Sequence, residues 1–345
     1  MEKLLFDIKT VSPDKVKAIN AFSNVMRSES QPGEPPRSLH ATETDLKSYE
    51  LLEHYHLARW HIWHDGEIVA HLITQVEIAE SNQHLMYIVL GVHPDYRRQG
   101  LASSFLPIVL ETAYKHDRSL LLFVTNSTVP AGEQAAQKLG AEAALATHTN
   151  QLVLKDLDKN LMGHWIKEGR KNRDYGLELF TNPLPEAHID EIITLMDVMN
   201  TAPKDDLDVE DQQLSKEKVR VFEKYLEAHE VQQWYLCARH ASGELAGFTE
   251  VIWDPEEAHI VFQGDTGVLP KYRGHGLGKW LKASMAEKIL TERPGVVYIR
   301  TGNADSNAPM LAINEKMGFK PYRSETTWQL DREKLKAYLN EKGLL

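Results

Sequence analysis

The chain has 345 residues, 42% hydrophobic and 26% charged, with a formal net charge of −11 and one cysteine, Cys237. That length exceeds what one hydrophobic core usually supports, so two domains are expected, and the lone cysteine excludes a disulfide framework or a cysteine-rich zinc site. An acidic chain lacks the basic footprint a nucleic-acid backbone requires and favours a cationic small molecule, although solubility alone accounts for most such charge.

In chain order, strand-like runs are predicted at 59–63, 68–76, 84–92 and 120–125, with a Gly-rich turn at 97–102 opening a helix that Pro107 interrupts. Apolar runs such as 120–124 are strand-sized rather than membrane-sized, so no membrane partner and a cytoplasmic location are expected. A polar stretch, partly helical in pattern, places a linker at 156–174 between domains at 1–155 and 175–345. The second half begins with an apolar run at 177–180 and helical patterns at 189–199 and 216–226. Strands follow at 234–239, 245–253 and 259–268, separated by Ser242-Gly243 and Asp254-Pro255. An amphipathic helix carrying Leu277, Leu281, Met285 and Ile289, a strand at 296–300, a helix at 309–317 and a strand at 326–330 complete it. The fold class is α+β, each domain a mixed, mostly antiparallel sheet flanked by helices.

The two halves repeat each other. Val92-His93-Pro94-Asp95-Tyr96-Arg97-Arg98-Gln99-Gly100-Leu101-Ala102 aligns with Val268-Leu269-Pro270-Lys271-Tyr272-Arg273-Gly274-His275-Gly276-Leu277-Gly278, displaced by 176 positions between Gly100 and Gly276. Gln137-Lys138-Leu139-Gly140 likewise matches Glu315-Lys316-Met317-Gly318, and Leu157-Asp158-Lys159 matches Leu330-Asp331-Arg332, each opening a helix-like segment. A glycine-rich turn between strand and helix binds phosphate through backbone N–H groups and the helix dipole. A single such cluster is more often a tight turn; its duplication in equivalent context favours the binding role.

These residues resemble the GNAT superfamily of acetyltransferases, whose signature Arg/Gln-x-x-Gly-x-Gly/Ala follows a strand ending Val-x-Pro. The layout of two tandem domains is similar to mycothiol synthase and to acetyltransferases that protect producers from their own amine-bearing antibiotics. The resemblance implies an acetyl-CoA-dependent N-acetyltransferase whose acceptor is the primary amine of a small, cationic molecule, an amine-containing antibiotic among the options. It implies that Arg273, Gly274, His275, Gly276, Leu277 and Gly278 hold the coenzyme A pyrophosphate, with Arg98, Gly100 and Ala102 as the first copy's counterparts. Val268 would turn backbone groups toward the pantetheine arm and the acetyl carbonyl, and Asn303 and Asn307 would contact pantetheine, with helix capping an equal alternative for Asn307.

The sequence departs from the family pattern where acid and base are expected. A tyrosine that protonates the thiolate is replaced by Asn314, which can only hydrogen-bond, and a catalytic glutamate by Phe262. An alkylammonium must lose a proton before attack, so Asp265 and Glu250 are the acidic candidates, Asp265 first and His259 weaker. Each carboxylate reads first as recognising the substrate ammonium or capping a structural network, ahead of acting as direct base, since deprotonation can also proceed through water. The first copy has Ala136 at the position of Asn314 and is expected to be catalytically silent. The acceptor pocket is expected around 200–213, whose acidic run 205–211 reads first as a solvated loop. The internal duplication makes a monomer plausible. A non-catalytic acyl-CoA-binding or sensing protein is the competing function.

Overall fold

The computed structural model describes residues 1–345 apart from 8–10, 49–50, 52–53, 79–80 and 212. Residue 212, within the expected acceptor segment, therefore lies outside the described residues. The first half contains β1 (Glu2–Leu5), α1 (Pro13–Ser30), α2 (Leu39–Ser48), β2 (Tyr55–His64), β3 (Glu67–Glu77), β4 (Leu85–Val92), α3 (Leu101–Lys115), β5 (Leu120–Asn126), α4 (Pro130–Lys138), β6 (Glu142–Val153) and α5 (Lys159–Lys171). The second contains β7 (Tyr175–Thr181), α6 (Ile189–Met196), α7 (Lys216–Ala228), β8 (Gln232–His240), β9 (Leu245–Trp253), β10 (Ile260–Val268), α8 (Leu277–Glu292), β11 (Tyr298–Ala304), α9 (Ala308–Met317), β12 (Lys320–Asp331) and α10 (Arg332–Glu341).

The chain divides into two compact units: Met1–Ala146 with Asp205–Glu210 and Ser324–Leu345, and Thr147–Lys204 with Asp211–Arg323. In the first the strands stand in the order β1-β2-β3-β4-β5-β12, and in the second β7-β8-β9-β10-β11-β6. β4 with β5 and β10 with β11 pair in parallel, whereas β2 with β3, β3 with β4, β8 with β9 and β9 with β10 pair antiparallel. This is the expected mixed α+β arrangement.

Each unit is completed by the end of the other copy. β12 pairs with β5 from Glu325↔Asn126 to Asp331↔Leu120, and β6 pairs with β11 from Tyr298↔Val153 to Ala304↔Thr147. The helices that follow go the same way: Leu335 and Leu339 of α10 join the first unit's core, while Met162, Trp165 and Ile166 of α5 join the second's. Both helices start at a capping aspartate, Asp158 accepting from the amides of Asn160 and Leu161, and Asp331 from those of Glu333 and Lys334. The stretch expected as a linker is thus largely α5. Gly169 lets α5 approach α8, because a Cβ there would lie 2.2 Å from Cγ of Trp280.

Two further expectations change. α3 runs through Pro107 unbroken. Proline removes the N–H that would bond the Ser103 carbonyl, while the adjacent Ser104 carbonyl accepts from the Lys3 amine. The acidic run is docked rather than merely solvated. Asp206 N–H donates to the Ala144 carbonyl at 3.1 Å, and Gln329 bridges Asp206 and Asp208. The amides of Glu210 and Asn82 each donate to the other's side chain at 2.8 Å. The negative charges are therefore held along backbone anchors in the first unit.

His61 and His71 face each other across β2 and β3, at 3% exposure for His61, with the Phe22 ring edge-on to His71 at 5.0 Å. Burial, and secondarily the charge of Arg59, pushes both imidazoles down to about 3. A folded-state pKa below the unfolded one means that the unfolded chain binds the extra protons, so stability is held above pH 6.5 and lost as pH falls toward 3. At pH 5 the loss is roughly 2 kcal/mol per histidine, from about 1.4 kcal/mol per pH unit below 6.5. Urea unfolding at pH 7.5 and pH 5 should show this drop, and His61→Gln combined with His71→Gln should flatten it; an equally steep drop in the double variant would locate the acid sensitivity elsewhere.

Candidate active site

The duplicated loops have one backbone. Gly274 and Gly276 have φ of 85° and 74°, and Arg98 and Gly100 have φ of 64° and 80°. Left-handed residues in alternation turn successive amides toward one side, a concavity suited to anions, and no side chain caps the start of α8 or α3. Arg98 holds this conformation without glycine's freedom, which shows that the loop shape is kept in the first unit against a local cost. The signature arginines act as braces: Arg273 donates through Nε to the Val268 carbonyl at 3.0 Å and through its guanidinium to Thr201. Arg97 does the same to Val92 at 3.2 Å and forms a two-pronged ion pair with Glu29. His275 lies against the Tyr175 ring, Leu277 is buried, and a Cβ on Gly278 would stand 3.6 Å from Ile313 of α9.

Beyond the loop, two parallel strands come apart. β10 and β11 pair only at Ile260↔Tyr298, Val261↔Ile299 and Phe262↔Arg300; past that point β10 follows β9 and β11 follows β6. Leu269 N–H donates to the Ala246 carbonyl at 2.9 Å, and amide directions alternate along a strand, so Val268 N–H points to the edge that β11 has left. On β11, Asn303 accepts from Nδ2 of Asn314 at 2.7 Å. Asn314 is 2% exposed, and its Oδ1 has no hydrogen-bond partner among the described residues. Asn307 caps α9, accepting from the Met310 amide at 3.4 Å, which is the structural alternative raised for it.

Glu250 and Asp265 meet at a β-bulge. Gln263 pairs with Val251 and Thr266 with Thr249, so Gly264 and Asp265 together oppose Glu250. The extra residue puts Asp265 on the same sheet face as Glu250 and Gly267, and Gly267 packs against Val198 and Met199 next to α6. Glu250 accepts from Nε2 of Gln233 at 2.8 Å, from the Asp265 amide at 3.2 Å and from the Tyr235 hydroxyl, its cross-strand partner. Burial, with the neighbouring Asp265 charge second, pushes Glu250 up to about 7; burial also raises Asp265. His259 precedes β10 at the end where the strands remain paired, away from the carboxylates, and Phe262 is 41% exposed. Gln233 and Tyr235 escaped the sequence reading; their one signal was spacing by two on a strand beside that of Glu250.

The sequence profile described as Acetyltransferase (GNAT) family matches residues 23–143 and 195–319. The chain belongs to the GNAT acetyltransferase family. Both matches end beside the exchanged strands, which begin at Glu142 and Lys320. Among solved structures, a tandem GNAT protein from the clavulanic acid biosynthesis pathway shares 23% identity at a TM-score of 0.76, covering 96% of this chain and 98% of its own. A GCN5-related N-acetyltransferase from Sphaerobacter thermophilus shares 14% at 0.63, covering 96% of each chain. A glucosamine N-acetyltransferase region of a fungal multi-domain GH3 enzyme shares 14% at 0.64, covering 95% of this chain and 38% of its own. No curated protein matches the sequence.

The two GNAT copies differ at the bulge. In the first, β3 and β4 pair without interruption from Ala70↔Val92 to Gln75↔Tyr87, and Ile73↔Val89 occupies the place of Glu250 and Asp265. In the second, a Cβ on Gly264 would lie 2.5 Å from Oε1 of Glu250. Gly264→Ala should therefore displace the carboxylate, costing roughly 1–3 kcal/mol of stability and most of the acetyl transfer, while calorimetric acetyl-CoA affinity stays near wild type. Undiminished turnover in that variant would separate Glu250 from the chemistry.

Proposed function

We propose that this GNAT protein is an acetyl-CoA-dependent N-acetyltransferase that modifies a primary amine of a small cationic molecule, with the reaction in the second unit. The carrying observation is the buried Glu250 beside Asp265 on the face of the parted strands that looks toward α6. Two carboxylates on one face raise each other's hold on a proton, and their negative charge attracts an ammonium. Glu250, titrating at about 7, then takes the ammonium proton, freeing the lone pair that attacks the acetyl carbonyl. The loop amides from Gly274 to Gly278 suit a pyrophosphate, and the outward amide of Val268 suits the carbonyl oxygen as charge develops there. Transfer is direct, because Cys237 is buried and its thiol is pushed up to about 12. An aminoglycoside or similar amine-bearing antibiotic fits this acceptor class, as does a polyamine.

Asn314 in place of a phenol favours one other reading, a CoA-binding protein without turnover. Thiol release from acetyl-CoA over a panel of polyamines, aminoglycosides and amino-terminal peptides decides between them.

Since Glu250 acts as carboxylate, kcat/KM for the acceptor, which reports groups of the free enzyme, should rise with pH through an inflection at about 7. Glu250→Gln should abolish that inflection and lower kcat on the order of 10²-fold; an inflection that survives assigns the base elsewhere. Asp265→Asn should shift the inflection downward, because it removes a like charge.

The silence of the first unit rests on its apolar Ile73 and Val89. Gly276→Asp and Gly100→Asp place equal strain and charge in the two loops, each at positive φ. Turnover should fall far more in the former, provided both variants melt cooperatively; the reverse order would move the active site to the first unit.

A further inference from the structure

Acetyl transfer needs a second proton step, because the departing thiolate must be neutralised, and the carboxylates lie on the wrong face for it. Glu250 alternates with Thr249 and Val251 and so shares its face with Phe248, in the core built on α6. Val251, Ile299 and Leu152 belong instead to the core built on α8. Residues paired across an antiparallel ladder project to one side, so Thr301 and Asn303 on β11, and Asn150 and His148 on β6, lie on this second face with Ile299 and Leu152. The contact between Asn303 and Asn314 of α9 confirms the side. That is the face of the phosphate loop's helix and of the family's acid position, occupied here by Asn314.

His148 is the cross-strand partner of Asn303, and its Nδ1 is bound to the carboxylate of Asp305. The imidazole is 34% exposed and the carboxylate 44%, open to exchange with water. This arrangement fixes which ring nitrogen is occupied and leaves Nε2 for proton transfer. No feature of the signature points to it, because His148 comes from the first copy's last strand, which is exchanged into the second unit.

We propose that His148, oriented by Asp305, is the proton donor to the coenzyme A sulfur, an assignment that rests on the acetyl-CoA reading of the site. As the new C–N bond forms, the carbon–sulfur bond breaks and its electron pair leaves on sulfur. The attacking nitrogen has given one proton to Glu250 as the ammonium and sheds its second to water as the amide forms, while Nε2–H of the imidazolium gives its proton to the sulfur and the neutral ring takes a proton back from solvent. Of the other basic side chains toward this face, which include Lys279 over the Trp165 ring and Lys288 over the Trp234 ring, Lys282 of α8 is the buried one. It is 1% exposed, over the Phe319 ring and 3.9 Å from Sδ of Met310, and burial lowers its amine to about 7. Shielded from water, it cannot be recharged between turnovers as His148 can.

The test needs no acceptor. Coenzyme A bound to the full chain is titrated by the ultraviolet absorption of its thiolate, and its affinity is measured by calorimetry. A nearby imidazolium stabilises a thiolate, so the bound thiol should ionise below its value in free solution. His148→Gln, which can still hydrogen-bond Asp305, should raise that value by about one unit, roughly tenfold in the ionisation constant, with affinity at low pH unchanged. Asp305→Asn should move it partly in the same direction, and Lys282→Met should leave it in place. An unaltered titration in His148→Gln, or a shift produced by Lys282→Met instead, overturns the assignment. Failure of the wild-type chain to bind coenzyme A overturns the reading on which it rests, and this proposal with it.

Discussion

Opposite Glu250, β10 supplies two residues where a regular ladder supplies one, and the chemistry proposed for the second unit depends on that insertion. Without it Asp265 would alternate to the other face, as strand periodicity requires. With it, Asp265 and Glu250 share a face while Thr266 and Val268 remain in register with Thr249 and Gly247. Glycines admit the distortion: Gly264 gives way to the Glu250 carboxylate, and a Cβ on Gly267 would stand 2.4 Å from Val198. Burying two carboxylates together is costly when both are charged, and the cost is relieved by protonating one of them. Burial is the larger cause of the raised Glu250, and the bulge adds the second by setting the Asp265 charge beside it.

The exchange of terminal segments sets a second constraint. β5 and β11 each turn one edge to a partner strand from the other copy, and each core is closed by a helix from the other copy, through Leu335 and Leu339 or through Met162, Trp165 and Ile166. An unpaired strand edge with its apolar face exposed is an aggregation hazard. Neither half of the sequence can therefore be cut away at its own boundary without leaving the remaining unit lacking a strand and a helix.

Much of this was legible in the sequence because it lies in local patterns. The loop glycines, strand periodicity and the repeat all act over short separations, and the strands and helices fall close to where alternation and heptad-like spacing place them. The capping aspartates Asp158 and Asp331 were marked by the repeat itself. What escaped depends on pairing between distant segments. The exchange of β6 and β12 leaves no mark in either strand's own sequence, so α5 read as a linker. Pro107 read as an interruption because proline removes one helical hydrogen bond, a loss that α3 absorbs without a break. Glu250 and Asp265 were named as candidates, but which of them is the more perturbed follows from Gln233, Tyr235 and Gly264 meeting at one place.

The parted strands also explain why acid and base need not compete. If one carboxylate both removed the ammonium proton and returned it to sulfur, it would have to reach both faces of the sheet, and Glu250 is held by Gln233, Tyr235 and the Asp265 amide on one of them. A rigid base suits the first step and excludes it from the second. The gap between β10 and β11 is what separates these duties, since Val268 N–H points into it while Asn303 and Asn314 border it from the face of α9. The first unit opens the same way, with β4 and β5 paired only from Leu85↔Leu120 to Tyr87↔Leu122, yet it carries Ile73 and Val89 on one side and Ala136 on the other. An opening and a phosphate-shaped loop are thus insufficient. The proposed chemistry uses a titratable group on each face, Glu250 on one and His148 on the other, and the first unit carries Ile73 where the second has Glu250.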